Sequence, residues 1–116
     1  MTGFPGKTEW VAELVPDVAA KAVPFTVDTE EVDDELITVF VGEIRRLTGE
    51  LQDGLAQGNG EMVRVASHSI KGMGGTMGLP DISVLGLEIE NMAKEERLAD
   101  AKPLVDALAG WMATFC

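Results

Sequence analysis

Residues 61–78 read EMVRVASHSIKGMGGTMG, and this stretch contains the single histidine of the 116-residue chain. Successive residues of an α-helix are rotated by about 100° around its axis, so the stretch can be tested against a helix. Its apolar residues fall in one arc, as the core-facing side of a helix requires: Met62, Ala66, Ile70, Met73 and Met77, with Val63 at the edge. The stretch therefore predicts an amphipathic helix.

His68 falls on the opposite side of this helix, away from the apolar arc. A single histidine can be a core residue or a surface residue without a role, and this position argues against the first interpretation. We expect the imidazole to be exposed to water. The residues that share its outer side are Glu61, Arg64, Lys71, Gly72 and Gly75.

Glycines accumulate after the histidine, at Gly72, Gly74, Gly75 and Gly78. Each costs a helix about 1 kcal/mol relative to alanine, so their accumulation suggests a compensating role. Gly72 and Gly75 follow His68 at i+4 and i+7, where missing side chains leave space for another protein to approach the imidazole. Gly74 could instead permit close packing of helices, and Gly78 could end the helix.

The segment His68-Ser69-Ile70-Lys71-Gly72, followed by small residues that end in Gly78-Leu79, resembles the signature of histidine-containing phosphotransfer (HPt) domains. In that family H-x-L-K-G opens such a run. The following helix continues the resemblance to the family's leucine ladder, which closes in Leu-Glu, with Leu79, Ile82, Leu85, Ile89 and Glu90. A weaker resemblance extends over about residues 28–115.

The resemblance implies a function and a set of partners. HPt domains accept a phosphoryl group on the histidine Nε2 from a phosphoaspartate of a response-regulator receiver domain, or pass it to one. By this resemblance His68 is the phosphoacceptor, Lys71 stabilises the phosphate charge, and Gly72 and Gly75 admit the receiver. The receiver supplies the aspartate and the Mg²⁺, so no cofactor is expected on this chain, and a hybrid histidine kinase is the other expected partner.

An exposed imidazole is also chemically suited to this role. Its reference pKa of about 6.5 leaves much of it neutral, and therefore nucleophilic, near neutral pH. Phosphoryl transfer mainly requires in-line positioning and neutralisation of the oxygen charge. Lys71 at i+3 could supply a cation, and so could Arg64 at i−4, for which an ordinary solvated cation remains the alternative.

The composition describes one acidic globular domain, with 46% hydrophobic and 25% charged residues. The net charge of −11 disfavours nucleic acids and anionic membranes as partners. The single cysteine, Cys116, cannot form an internal disulfide, which fits a cytoplasmic location. Neither a membrane span nor a signal peptide is recognisable, and we expect a monomer.

Helical periodicity continues along the rest of the chain. A short helix is predicted before Pro16, and Gly58-Asn59-Gly60 ends a long helix whose apolar stripe is Val32, Leu36, Phe40, Ile44, Leu47, Leu51 and Leu55. Pro80 begins a further helix, and another follows near Asp100. On the helix that begins at Pro80 we expect a solvated face made of Glu88, Glu90, Lys94, Glu95 and Glu96.

These elements predict an all-α fold in a single domain. Four substantial amphipathic helices with short connections favour an antiparallel four-helix bundle over residues 28–116. Residues 1–27 form an N-terminal extension with an additional short helix.

Other chemistries have little support in the sequence. One histidine and one cysteine offer no zinc spacing, and no nucleotide-binding glycine loop or nucleophile elbow occurs. We therefore expect no independent kinase activity. The alternative function is a helical-bundle adaptor that binds a receiver or another signalling protein without accepting phosphate. A fragment of a larger kinase is disfavoured, because Met1 and Cys116 look like natural ends and ATP-binding motifs are missing.

Overall fold

The computed structural model describes residues 10–25, 34–76 and 79–113. Every regular element in these ranges is helical, and no strand occurs in them. The predicted all-α class is therefore confirmed. The helices are α1 (Val11–Leu14), α2 (Val18–Ala22), a 3₁₀ turn (Val23–Phe25), α3 (Asp34–Gln57), α4 (Gly60–Thr76), α5 (Pro80–Lys94) and α6 (Leu98–Ala113).

The N-terminal segment contains more structure than the one short helix predicted for it. The chain breaks near Pro16 as expected, but α2 and the 3₁₀ turn follow the break. This segment packs mainly on α5, and the Trp10 ring lies 6.0 Å from that of Trp111 in α6. Its apolar side chains join the core, with Val11, Val15, Val18 and Ala22 buried.

The long helix α3 follows its predicted apolar stripe except at the N-terminal end. Half of Leu36 is exposed, and Ile37 takes the buried position instead. Each i+4 step rotates a side chain by about 40° around the axis, so the two steps from Ile44 back to Leu36 carry it to the edge of the stripe. Val32 lies outside the described residues. The remaining stripe residues are buried or partly buried: Phe40, Ile44, Leu47, Leu51 and Leu55.

The turn between α3 and α4 fixes where the histidine-bearing helix begins. Gly58 has φ of +65°, a left-handed conformation that glycine adopts without strain. The Oδ1 atom of Asn59 accepts a hydrogen bond from the backbone N–H of Met62 at 3.1 Å, which makes Asn59 the N-cap of α4. The predicted end of the long helix at Gly58-Asn59-Gly60 is confirmed.

Helix α4 has the amphipathic character that its sequence predicts. Val63, Ala66 and Ile70 are buried, whereas Met62 and Met73 are only partly buried. Met77 and Gly78 lie outside the described residues.

Helices α4 and α5 approach each other closely because small residues line their contact. A Cβ atom built on Gly86 would lie 2.6 Å from the backbone N of Lys71 and 2.8 Å from the carbonyl O of Ser67. A Cβ atom on Gly74 would lie 2.5 Å from the backbone N of Ser83, so the close-packing interpretation of Gly74 is confirmed. The residues in contact run in opposite directions along the two helices. Ser83 of α5 lies against Gly74 and Lys71 of α4, whereas Gly86, later in α5, lies against Lys71 and Ser67, earlier in α4, so the two helices are antiparallel.

Each of the four long helices contacts two others, because α3 packs on α4 and α6 while α5 packs on the same two. The side chains at the centre include Phe40, Ile70, Ile82, Leu85, Ile89 and Leu108. None of the described helices is both long and apolar enough to cross a bilayer.

The contact between α4 and α5 predicts that Gly86→Ala destabilises the protein. The added methyl group meets backbone atoms, which cannot give way as a flexible side chain does, and such overpacking costs about 1–3 kcal/mol. Equilibrium unfolding in urea, followed by circular dichroism, measures the change in the free energy of unfolding.

Gly110→Ala in α6 is the matched control, because a Cβ atom there meets nothing within 4 Å. It should leave the stability unchanged or raise it by up to about 1 kcal/mol, since alanine favours a helix more than glycine does. Equal unfolding free energies for the two variants would contradict the close packing at Gly86.

Candidate functional site

His68 lies on the exposed side of α4, and 61% of its side chain is accessible to solvent. The predicted exposure is therefore confirmed. The ring is nevertheless held in place, because its Nδ1 atom lies 2.8 Å from Oε2 of Glu90 in α5. Nε2 is on the far side of the ring from this carboxylate.

The predicted solvated face of α5 is wrong at two positions. Glu88 pairs with Lys21 and only 18% of its side chain is exposed, and only 2% of Glu90 is exposed. Glu90 follows Gly86 by one helical turn and so lies on the side of α5 that packs against α4. Because Gly86 brings the two backbones close together, the carboxylate beside it is covered and reaches the side chains of α4.

Two lysines compensate the charge of this buried carboxylate. Lys71 Nζ donates a hydrogen bond to Oε1 of Glu90 at 2.9 Å, and Lys94 Nζ lies 3.8 Å from Oε2. A buried carboxylate remains ionised only when such partners are present. The carboxylate of Glu90 therefore accepts hydrogen bonds from His68 and Lys71 and attracts the charge of Lys94 from a longer distance.

The hydrogen bonds of Glu90 decide its ionisation. Burial acts to raise the pKa of the carboxyl, but the hydrogen bonds from Lys71 and His68, with the charges of Lys71 and Lys94, outweigh it. The pKa of Glu90 therefore lies below its ordinary value, and the group is ionised near neutral pH.

The ionised carboxylate determines which imidazole nitrogen carries the proton. A carboxylate can only accept hydrogen bonds, so the nitrogen that faces it, Nδ1, must be the donor. In a neutral imidazole the other nitrogen then has the lone pair. The geometry thus leaves Nε2 of His68 as the nucleophilic nitrogen of a largely exposed ring.

The two cations predicted around the histidine differ in their pairing. Lys71 is drawn toward Glu90 and only 25% of its side chain is exposed. Arg64 is bound instead to Glu61, through Nε to Oε2 at 3.0 Å and Nη2 to Oε1 at 2.6 Å. The structure therefore brings Lys71 and His68 onto one carboxylate and leaves Arg64 in a separate, more exposed pair one turn away.

The surface beside His68 is open at Gly72, where an added Cβ atom would meet nothing within 4 Å. Gly75 belongs to the last turn of the same helix, but the space around it lies outside what the structure describes. Val65, one turn before His68, is half exposed and adds an apolar side chain to this face. In α3 the apolar side chains of Leu36 and Val39 are exposed as well.

The site offers one nucleophilic nitrogen, one buried carboxylate and a set of ammonium and guanidinium groups. In the described ranges, no three His, Cys, Asp or Glu side chains come together in a way that could hold a metal ion. These side chains are suited to accept an electrophilic, negatively charged group such as a phosphoryl group.

Comparison with protein families supports this chemistry. The model of the Hpt domain family matches residues 35–115, a range that contains His68, Lys71 and Glu90 but not the N-terminal helices α1 and α2. Comparisons with curated proteins and with solved structures gave no match. Hpt domains take part in histidine phosphotransfer in phosphorelays, together with receiver domains and histidine kinases. Because the match covers well over half of its length, the chain belongs to the Hpt domain family.

Proposed function

We propose that this protein relays a phosphoryl group between His68 and the aspartate of response-regulator receiver domains in a two-component signalling phosphorelay. The observation that carries the proposal is the hydrogen bond between His68 and the buried Glu90, which holds an exposed imidazole by Nδ1 and leaves its Nε2 as the unprotonated nitrogen. The family match supports phosphotransfer in general. His68 is the residue we assign to it, because the chain has no other histidine.

The transfer is an in-line exchange at phosphorus. Nε2 of His68 attacks the phosphoryl group of the receiver's phosphoaspartate, so the N–P bond forms while the P–O bond breaks and the aspartate carboxylate leaves. The Nδ1 proton stays on the hydrogen bond to Glu90 throughout. The reverse transfer uses the same arrangement, so the site can accept and donate phosphate without moving a proton. In this mechanism Mg²⁺ is bound by the receiver, and the chain itself needs no cofactor.

Lys71 supplies positive charge near the phosphoryl oxygens while it remains hydrogen-bonded to Glu90. Arg64 is a further candidate, but it must exchange its hydrogen bonds with Glu61 before it can reach a phosphoryl group. Such cations matter in this protein because its net charge of −11 repels an incoming anion.

The receiver docks, in this proposal, on the face of α4 that carries His68. Gly72 supports it because nothing stands above this position, and Gly75 is the second small residue on the same side. Val65, with Leu36 and Val39 of α3, offers apolar contacts of the kind found at the centre of protein interfaces.

We also propose that the four long helices form an antiparallel bundle within a single cytoplasmic domain. The contact of each long helix with two others supports this arrangement, as does the antiparallel packing of α4 and α5. The protein would act as a monomer between a hybrid histidine kinase and its receivers.

Replacement of the acceptor tests the assignment directly. We expect a phosphorylated receiver to label the wild-type protein with acid-labile, alkali-stable phosphate and His68→Gln to remain unlabelled. Ser69→Ala is the control, because Ser69 is the exposed hydroxyl next to the histidine and should not be needed. Equal labelling of wild type and His68→Gln would refute the assignment, and a wild type that no receiver labels would favour the adaptor function instead.

Blocking the open surface tests the docking face. Gly72→Leu should slow transfer from the receiver at least about tenfold, because displacing reacting groups by about 1 Å can cost a hundredfold in rate. Phosphoramidate is a small donor that needs no docking, so the added side chain displaces no docked partner. Labelling by phosphoramidate should therefore change less than about twofold.

The control for this variant is Gly110→Leu, which adds the same side chain at an open position of α6. Circular dichroism should show equal helix content in both variants. If receiver-dependent transfer to Gly72→Leu proceeds at the wild-type rate, the receiver does not approach over Gly72.

A further inference from the structure

Lys94 is a third cation near His68, and neither the sequence pattern nor the family resemblance gave it a role. Its Nζ lies 3.8 Å from Oε2 of Glu90, the same oxygen that faces His68 Nδ1 at 2.8 Å. The ammonium is therefore no further from Nδ1 than the sum of these two distances. A lysine side chain is long and flexible enough to cover such a separation by changing rotamers.

The three cations around His68 are not equally free to bind a new anion. Lys71 is hydrogen-bonded to Glu90 at 2.9 Å, and Arg64 is held by both oxygens of Glu61. Lys94 lies beyond hydrogen-bonding distance from Glu90, and 53% of its side chain is exposed. Moving Lys71 would strip a buried carboxylate of its hydrogen-bonded cation, which is strongly unfavourable, whereas moving Lys94 breaks only a long contact.

The direction of the side chains also favours Lys94. Side chains in a helix lean toward its N-terminus, so the imidazole of His68 leans toward the turn of α4 that contains Arg64. Because α5 is antiparallel to α4, Lys94, one turn after Glu90, stands at this same level.

An open cleft of about 730 Å³ lies at that level, between the beginning of α4 and the end of α5. Arg64 and Lys94 both line it, together with the carboxylates of Glu61 and Glu96. The imidazole of His68 leans toward the turn that contains Arg64, one of the residues that line this cleft. Lys71 belongs to the turn on the other side of the histidine.

We propose that Lys94 binds the phosphoryl oxygens when His68 is phosphorylated, exchanging its long contact with Glu90 for an ion pair with the phosphate. Lys71 stays on Glu90 and keeps that carboxylate ionised while Lys94 moves. This inference rests on the proposed phosphotransfer function and adds to it a phosphate-contacting residue on the helix opposite the histidine.

The titration of the phosphoryl group tests this contact without any receiver. The probe is the protein phosphorylated by phosphoramidate and followed by ³¹P NMR across a pH series. A cation within a few ångströms favours the dianion and lowers its pKa, so Lys94→Gln should raise the titration midpoint by about 0.5–1 pH unit. Lys94→Arg should keep the midpoint near that of the wild type.

Lys102→Gln is the control, because Lys102 is also an exposed helical lysine with an acidic partner four residues on, Asp106 at 2.7 Å. It removes the same charge from α6 and should leave the midpoint unchanged.

A midpoint in Lys94→Gln equal to that in Lys102→Gln would overturn the role of Lys94 while leaving His68 as the phosphoacceptor. A shift in Lys71→Gln without one in Lys94→Gln would overturn it too and give the contact to Lys71. A wild type that takes phosphate neither from phosphoramidate nor from a receiver would refute both the contact and the proposed function.

Discussion

The charge of one buried carboxylate constrains the whole site. Glu90 is covered by the contact between α4 and α5, and it can remain ionised there only because Lys71 and the imidazole N–H of His68 bind it. The same two hydrogen bonds fix the imidazole ring and its proton. An exposed side chain thereby gains a defined orientation that a histidine surrounded by water alone would not have.

The packing of the helices places this carboxylate. Gly86 lies against the backbone of Lys71 and Ser67, so α4 and α5 are close enough for a side chain one turn further along α5 to reach His68. On its other side α5 is supported by the N-terminal segment, where Val18 is buried and Lys21 pairs with Glu88. The position of Glu90 is thus secured from both faces of α5.

The sequence predicted features that depend on spacing along a single helix. The exposure of His68 and the start of α5 at Pro80 follow from local periodicity and from the conformational limits of proline. The burial of Glu90 depends on the distance between two helices, which periodicity does not contain. A signal was nevertheless present, because Gly86 precedes Glu90 by one turn and marks the side of α5 where another backbone approaches closely. Leu36 shows a limit of periodicity within one helix. It was predicted to be buried because it continues the apolar stripe by i+4 steps, but these steps carry it to the edge of the buried face, where half of it is exposed.

The proposed mechanism depends most directly on the proton of His68 in the unphosphorylated protein. ¹⁵N NMR of the imidazole, recorded at a pH where the ring is neutral, distinguishes the two tautomers. We predict a proton on Nδ1 and a lone pair on Nε2. In Glu90→Gln the Nε2–H form should gain, because an amide whose carbonyl accepts from Lys71 turns its NH₂ donor toward Nδ1. A wild-type ring protonated mainly on Nε2 would contradict the proposed mechanism.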